Sequence, residues 1–301
     1  MKSVFKIVSL TSILLLSSAC WKEKIEPTQS YSFFVAGHTY GMAGVNNEGL
    51  HPPFEQKFDF LNSRNVALGI LTGDIVIFPT EEDWDEVDSV LNFLDAEVYF
   101  AVGNHDMKDR ELYERRYGST YFSFVKGKDL FIILDPELDS WNISGEQLKF
   151  LKETLLGTDK RRNLYVFFHQ LLWWDKNNKY KHVRLNSTEG RADTINFWTE
   201  IIPLFTRLKK PVTMYAGDMG AGSWSDSYMY DTYENITFIG SGMGYGEEDN
   251  IVITNVNAEG YVDYELIAIN GDDIHVLGEL EDYELPTKCP EGFTEKVHKD
   301  D

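Results

Sequence analysis

Glu97-Val98-Tyr99-Phe100-Ala101-Val102-Gly103-Asn104-His105-Asp106 is an apolar, β-prone run that breaks at a glycine into three polar residues. Upstream, Val66-Ala67-Leu68-Gly69-Ile70-Leu71 leads to Gly73-Asp74 in the same way. Downstream, Leu164-Tyr165-Val166-Phe167-Phe168 ends on His169, and Pro211-Val212-Thr213-Met214-Tyr215-Ala216 ends on Gly217-Asp218. Open α/β sheets carry their sites at such strand ends. Carboxylate, carboxamide and imidazole together suit a divalent or trivalent transition metal better than a bare calcium site.

Working outward, strand-like runs fall at 31–36, 66–71, 97–102, 121–125, 130–134, 164–168, 212–216, 236–240, 251–256 and 261–269. Between them, Trp84, Val87, Val90, Leu91 and Leu94 make one helical stripe in residues 81–94. Ser144 with Gln147 has capping-box spacing, Leu148, Leu151 and Leu155 continue a stripe, and Gly157 suits a stop. Residues 194–208 read as a third helix, which Pro203 kinks or breaks. Strands alternating with helices predict a mixed α/β sheet, and the strand-rich stretch after 236 predicts a second one.

The 301 residues carry 28 basic and 49 acidic side chains, a net charge of −21. Such a surface repels nucleic acid backbones, so a nucleic acid polymer is not an expected partner. The length suits one domain with a large core.

Lys2 and Lys6, an apolar stretch at 7–16 and Ser17-Ser18-Ala19-Cys20 form a leader too short to span a bilayer as a helix. It resembles a bacterial lipoprotein signal, although Ser17 stands where Leu is usual. The resemblance implies an exported protein held in the cell envelope by lipid on Cys20; the plainer alternative is secretion after cleavage near Ala19. The expected organisation is a signal at 1–19, a tether at 20–30, one domain at 31–285 and a tail at 286–301. Cys289 is the only other cysteine. It is unpaired if Cys20 is lipidated, and a candidate disulfide partner if Cys20 is free.

Gly73-Asp74, Gly103-Asn104-His105-Asp106 and His169 resemble the second, third and fourth motifs of the calcineurin-like metallophosphoesterases. That resemblance implies an α/β fold, a two-sheet sandwich flanked by helices, and hydrolysis of a small phosphorylated substrate by a metal-activated hydroxide. It implies that Asp74 bridges two metal ions, that Asn104 and His169 are ligands, and that His105 faces the phosphate with Asp106 orienting its ring. Manganese, iron or zinc are the candidate ions.

Two family motifs depart. Where the first reads Asp-x-His-Gly, this chain has His38-Thr39-Tyr40-Gly41. One register puts His38 and Tyr40 in the two ligand positions; another puts His38 on the family's His and Ala36 on its Asp. Where the fifth reads Gly-His-x-His, this chain has Gly217-Asp218-Met219-Gly220. Asp218 can replace a ligand and Gly220 cannot. One well-formed metal site (Asp74, Asn104, His169, Asp218) is therefore expected, with a second, weakened or rebuilt, around His38 and Tyr40. The competing reading is a phosphoesterase-fold binding protein of the envelope, impaired in catalysis.

Three further features have plain and functional readings. His51, in Leu50-His51-Pro52-Pro53, is a loop histidine or a substitute ligand. Trp173 and Trp174 either pack on the helix near 195–208 or stack on a substrate. Lys179, Lys181, Arg184 and Arg191 make a basic segment that is either solvated or anion-binding.

Overall fold

The computed structural model describes residues 29–42, 44 and 49–288. The leader, Cys20, most of the tether, Cys289 and most of the tail lie outside the described residues. Among the described residues no helix is long and apolar enough to cross a membrane.

Among the described residues eleven strands form two sheets. They are β1 (Tyr31–Gly37), β2 (Leu68–Thr72), β3 (Glu97–Ala101), β4 (Phe122–Lys126), β5 (Asp129–Ile133), β6 (Leu164–Phe168), β7 (Val212–Ala216), β8 (Tyr228–Tyr233), β9 (Ile236–Ser241), β10 (Asn250–Val256) and β11 (Val262–Ala268). One sheet has the order β11-β10-β1-β2-β3, the other β4-β5-β6-β7-β9-β8. The β1-β2-β3 block is parallel, as is β5-β6-β7-β9. All these parallel strands end on the same side, so the loops after β1, β2, β3, β6 and β7 converge.

The strands after 236 do not make a sheet of their own. β9 joins the second sheet beside β7, and β10 returns to pair antiparallel with β1. β8, Tyr-Met-Tyr-Asp-Thr-Tyr, was not among the expected strands and closes the second sheet's edge.

Between the sheets lies an aromatic layer. Phe33 of β1 meets Phe131, Tyr165, Phe167 and Tyr215 of the opposite sheet, at centroid distances of 4.9–6.1 Å. These contacts are edge-on, a geometry the ring quadrupole favours. Helices cover the outer faces. α1 (Pro52–Glu55), α2 (Phe58–Ser63), α3 (Glu81–Leu91) and α4 (Arg110–Tyr117) bury Phe54, Leu61, Trp84 and Leu112 beneath the first sheet. α5 (Gly145–Leu156) and α6 (Ile202–Thr206) bury Leu151, Leu155, Ile202 and Phe205 beneath the second.

Two local expectations change. The third helix is short: a π-turn at Phe197–Ile201 leads into α6, where Pro203 sits in the first turn and needs no donor partner. The Ser144–Gln147 box does not form. Ser144 Oγ donates to Asp139 instead, at 2.5 Å, while the Gln147 amide exchanges two hydrogen bonds with the Asp135 backbone. A buried amide satisfied on both sides outweighs an exposed cap.

Candidate metal centre

The turn after each strand sets the site. His38, at the end of β1, has φ 53°, and Asp74, after β2, has φ 50°. Left-handed backbone at non-glycine residues stores strain and is concentrated where a side chain must be aimed. Both side chains are fully buried, and His38 Nε2 lies 3.3 Å from Asp74 Oδ2. His169, at the end of β6, brings its Nε2 within 3.3 Å of the same oxygen and 3.7 Å of Asp218 Oδ1. The donor atoms of His38, Asp74 and Asp218 all lie within 4.8 Å of one another. The cluster contains His38, which directly follows β1, whereas Ala36 pairs with Leu71 within the sheet. Asp218 approaches His38 as well as His169, so the two ligand sets implied by the resemblance meet on one shared cluster.

The third motif is anchored from the backbone. A Cβ on Gly103 would overlap Asp74 Oδ1 and the Asp74 amide, so only glycine lets β3 pass this close. The His105 backbone N–H then donates to Asp74 Oδ1 at 3.1 Å. Asn104, half-buried, directly follows Gly103. Asp106 does not orient the His105 ring as expected. Its carboxylate accepts from the backbone N–H groups of Ile75, Val76 and Gly103, at 2.9, 3.1 and 2.8 Å. It thereby locks the loop after β2 to the loop after β3. Burial, then the Asp74 charge, pushes its carboxyl up to about 6 against those donors.

The His105 ring is instead held by the Ile77 carbonyl, 3.0 Å from Nδ1. Lys108 Nζ lies 3.1 Å from the same nitrogen. The carbonyl is fixed and Lys108 is an exposed, flexible side chain, so Nδ1 carries the hydrogen. Nε2 then faces the Tyr40 hydroxyl at 3.4 Å. Burial, followed by the charges of Asp74, Asp218 and Asp106, pushes the Tyr40 phenol up, so it remains a hydroxyl wherever no cation offsets those carboxylates.

Three polar atoms decide what the cluster holds. Asp74 Oδ2, Asp218 Oδ1 and His169 Nε2 are buried with no hydrogen-bond partner. Their near polar neighbours include one another, at 3.3 and 3.7 Å, and one partner shared among them would satisfy all three. The sign of that partner is positive. Burial disfavours a charged His169, yet Asp74 and Asp218 push it up to about 10. Burial raises Asp218 to about 6. Burial also works against an ionised Asp74, yet His169, ahead of the other two histidines, holds it well below the usual carboxylate range. His38 is driven down to about 4 by burial, leaving a neutral imidazole with a lone pair to give. Two carboxylates and two imidazoles are a fitting set for a transition metal, which would replace the proton on His169.

A sequence model of calcineurin-like phosphoesterase matches residues 37–234. The chain belongs to that family. Solved structures agree on the fold of this phosphoesterase-family chain. Purple acid phosphatase PPD1 from yellow lupin (Lupinus luteus) seeds superposes with a TM-score of 0.61 at 13% identity, over 82% of this chain and 53% of that one. A dimetal phosphatase from Danio rerio gives 0.57 at 11% identity, over 82% and 98%. The chain thus spans about half the length of the lupin protein. No curated protein matches the chain in sequence.

The remaining sequence candidates fall outside the cluster. His51 Nε2 lies 3.3 Å from Asp249 Oδ2, a buried pair that braces the loop before β10. Trp173 is a core residue donating to Met229 Sδ, and Trp174 stacks under Arg191 at 5.6 Å. Lys179, Arg184 and Arg191 are paired with Asp231, Asp226 and Asp175, so much of the basic segment's charge is neutralised locally. Two residues escaped the sequence reading. Glu137, in the turn after β5, accepts a hydrogen bond from Gln170, and burial pushes its carboxyl up to about 7. Asn186 reaches His38 with its Nδ2, 3.2 Å from Nε2. Neither belongs to a spaced motif, and nothing in the sequence marks them.

Proposed function

We propose that this protein is an exported, metal-dependent phosphoesterase that hydrolyses a phosphomonoester or phosphodiester. The observation that carries the reading is the convergence of Asp74 Oδ2, Asp218 Oδ1 and His169 Nε2, buried and unpartnered, beside a neutral His38. Asp74, Asp218, His38 and His169 would hold the ion, with Tyr40 beside His38 at 4.4 Å between ring centres and Asn104 as a further candidate ligand on the loop after β3. A manganese, iron or zinc ion supplies Lewis acidity toward a phosphoryl oxygen and water that ionises near neutral pH. His105, its Nδ1–H fixed on Ile77, presents Nε2 toward the site, from which the doubly protonated ring can give its Nε2 proton to a departing oxygen and take one back from water. Tyr40 holds its hydroxyl 3.4 Å from that nitrogen. Asp106 holds His105 and Asp74 in register through backbone N–H groups rather than by bonding either side chain.

Export and lipid attachment at Cys20 rest on the leader sequence alone: two lysines, the apolar stretch at 7–16 and small residues before the cysteine. Mass analysis of the mature N-terminus tests them, since a diacylated Cys20 supports anchoring and an unmodified residue 20 overturns it.

The deciding experiment is elemental analysis of residues 21–301, purified without chelator and offered manganese, iron and zinc, followed by assay on aryl phosphate mono- and diesters. Bound metal and turnover, both lost in Asp74→Ala, support the reading. No bound metal overturns it, and bound metal without turnover leaves the envelope binding protein in its place.

A further inference from the structure

The segment that carries Asn186 is laced to the loop that carries Asp218. The Asn186 N–H donates to the Asp218 carbonyl at 3.4 Å, and the Asp226 N–H donates to the Arg184 carbonyl at 2.9 Å. Arg184 closes the same seam with its guanidinium on Asp226 Oδ1, Nε at 2.7 Å. Inside this seam the Trp224 indole N–H is shared between two Asn186 acceptors, the backbone carbonyl at 3.2 Å and Oδ1 at 3.0 Å. A donor on Oδ1 removes the ambiguity of the amide: its oxygen points out to Trp224 and its NH2 points in.

Inward lies a conflict. His38 Nε2 faces a carboxylate, Asp74 Oδ2 at 3.3 Å, and an amide donor, Asn186 Nδ2 at 3.2 Å. Neither tautomer satisfies both neighbours. A cation drawing on His38 Nε2 and Asp74 Oδ2 together ends the conflict and frees the Asn186 N–H groups. They then face whatever anion shares that cation. The Asn186 backbone is hydrogen-bonded to Asp218, two residues before Gly220, so the amide lies on the side of the site where the family's fifth motif has Gly220 in place of its second histidine.

We propose that Asn186, clamped by Trp224, is a substrate-binding residue that donates a hydrogen bond to a phosphoryl oxygen on the side of the site where Gly220 supplies no side chain. This rests on the metal-dependent phosphoesterase reading. A preorganised N–H costs no reorientation when charge develops on that oxygen, which is how such donors gain their effect. Trp224 acts through Asn186 and is a positioning residue.

The test is calorimetric titration of the manganese-loaded full domain with inorganic phosphate, alongside manganese affinity by chelator competition. Asn186→Asp keeps the shape and the Trp224 bond but swaps the donor for a carboxylate. Its phosphate dissociation constant should rise at least tenfold while manganese binding holds or tightens. Asn186→Ala should weaken phosphate about tenfold with manganese affinity within threefold. Trp224→Phe, which lets the amide turn, should weaken phosphate about threefold with manganese unchanged. A purely structural role would lower both affinities together in Asn186→Asp, and that result overturns the inference. Variants matching the wild type in phosphate binding also overturn it, as does a wild type that holds manganese but no phosphate. A wild type that holds no manganese fails the phosphoesterase reading itself.

Discussion

The two halves of the metal centre are built on different principles. The half made by Asp74, Asn104, His105 and Asp106 keeps its motif residues, and its geometry is enforced by backbone: glycine at 103, three N–H groups on Asp106, one on Asp74. The half made by His38, Tyr40 and Asp218 has changed side chains. Its backbone is tied as well, His38 N–H to Gly73, Tyr40 N–H to Asp74 and Asp218 N–H to His169, but the His38 ring is met by another side chain, Asn186, which Trp224 holds. A side chain that accepts from backbone N–H groups, as Asp106 does, cannot change without leaving those donors unpaired, whereas one met by another side chain, as His38 is, can change together with its neighbour.

Three substitutions probe that contrast. Gly220→His restores the family's missing residue on paper. In the structure Gly220 has φ 78°, and a Cβ there would lie 2.6 Å from the Gly242 carbonyl carbon and 2.7 Å from the Met243 amide. The expected outcome is a loss of about 4 kcal/mol or more in urea unfolding, with no gain in metal content. A stable variant that binds an additional ion would break the account of this half.

Asp106→Asn leaves the ring contacts of His105 untouched but turns an NH2 toward a backbone N–H of the linked loops. It should cost about 2–3 kcal/mol in unfolding, and metal affinity should fall with it. If instead only activity falls, with stability intact, Asp106 acts on the chemistry and not on the backbone. His51→Ala removes a histidine that braces Asp249 outside the cluster. It should cost about 1 kcal/mol and leave metal content unchanged. Loss of bound metal would return His51 to the ligand set.

The half with intact motifs was legible because strand, glycine and ligand are contiguous: 97–106 and 66–74 each mark where a strand ends and which polar group its turn presents. β6 and β7 were read at their observed ends for the same reason. The helix at 194–208 shrank because Pro203 could only enter at a first turn. What escaped is non-local. Asn186 meets His38 across 148 positions through a loop with no periodicity. Asp106 lies beside His105 in the chain, yet its partners are the backbone of Ile75 and Val76, and no side-chain pattern encodes a backbone donor. The strands after 236 look alike in sequence, and only pairing with β1 or β7 separates them into different sheets.

The crossing of Gly220 over Gly242 couples two distant connections. A Cβ on Gly242 would in turn strike Met219, so each segment is bare because the other is. A side chain at 220 therefore has room only if the connection from β9 to β10 moves as well, so a histidine there calls for coordinated change in two segments that are far apart in the chain.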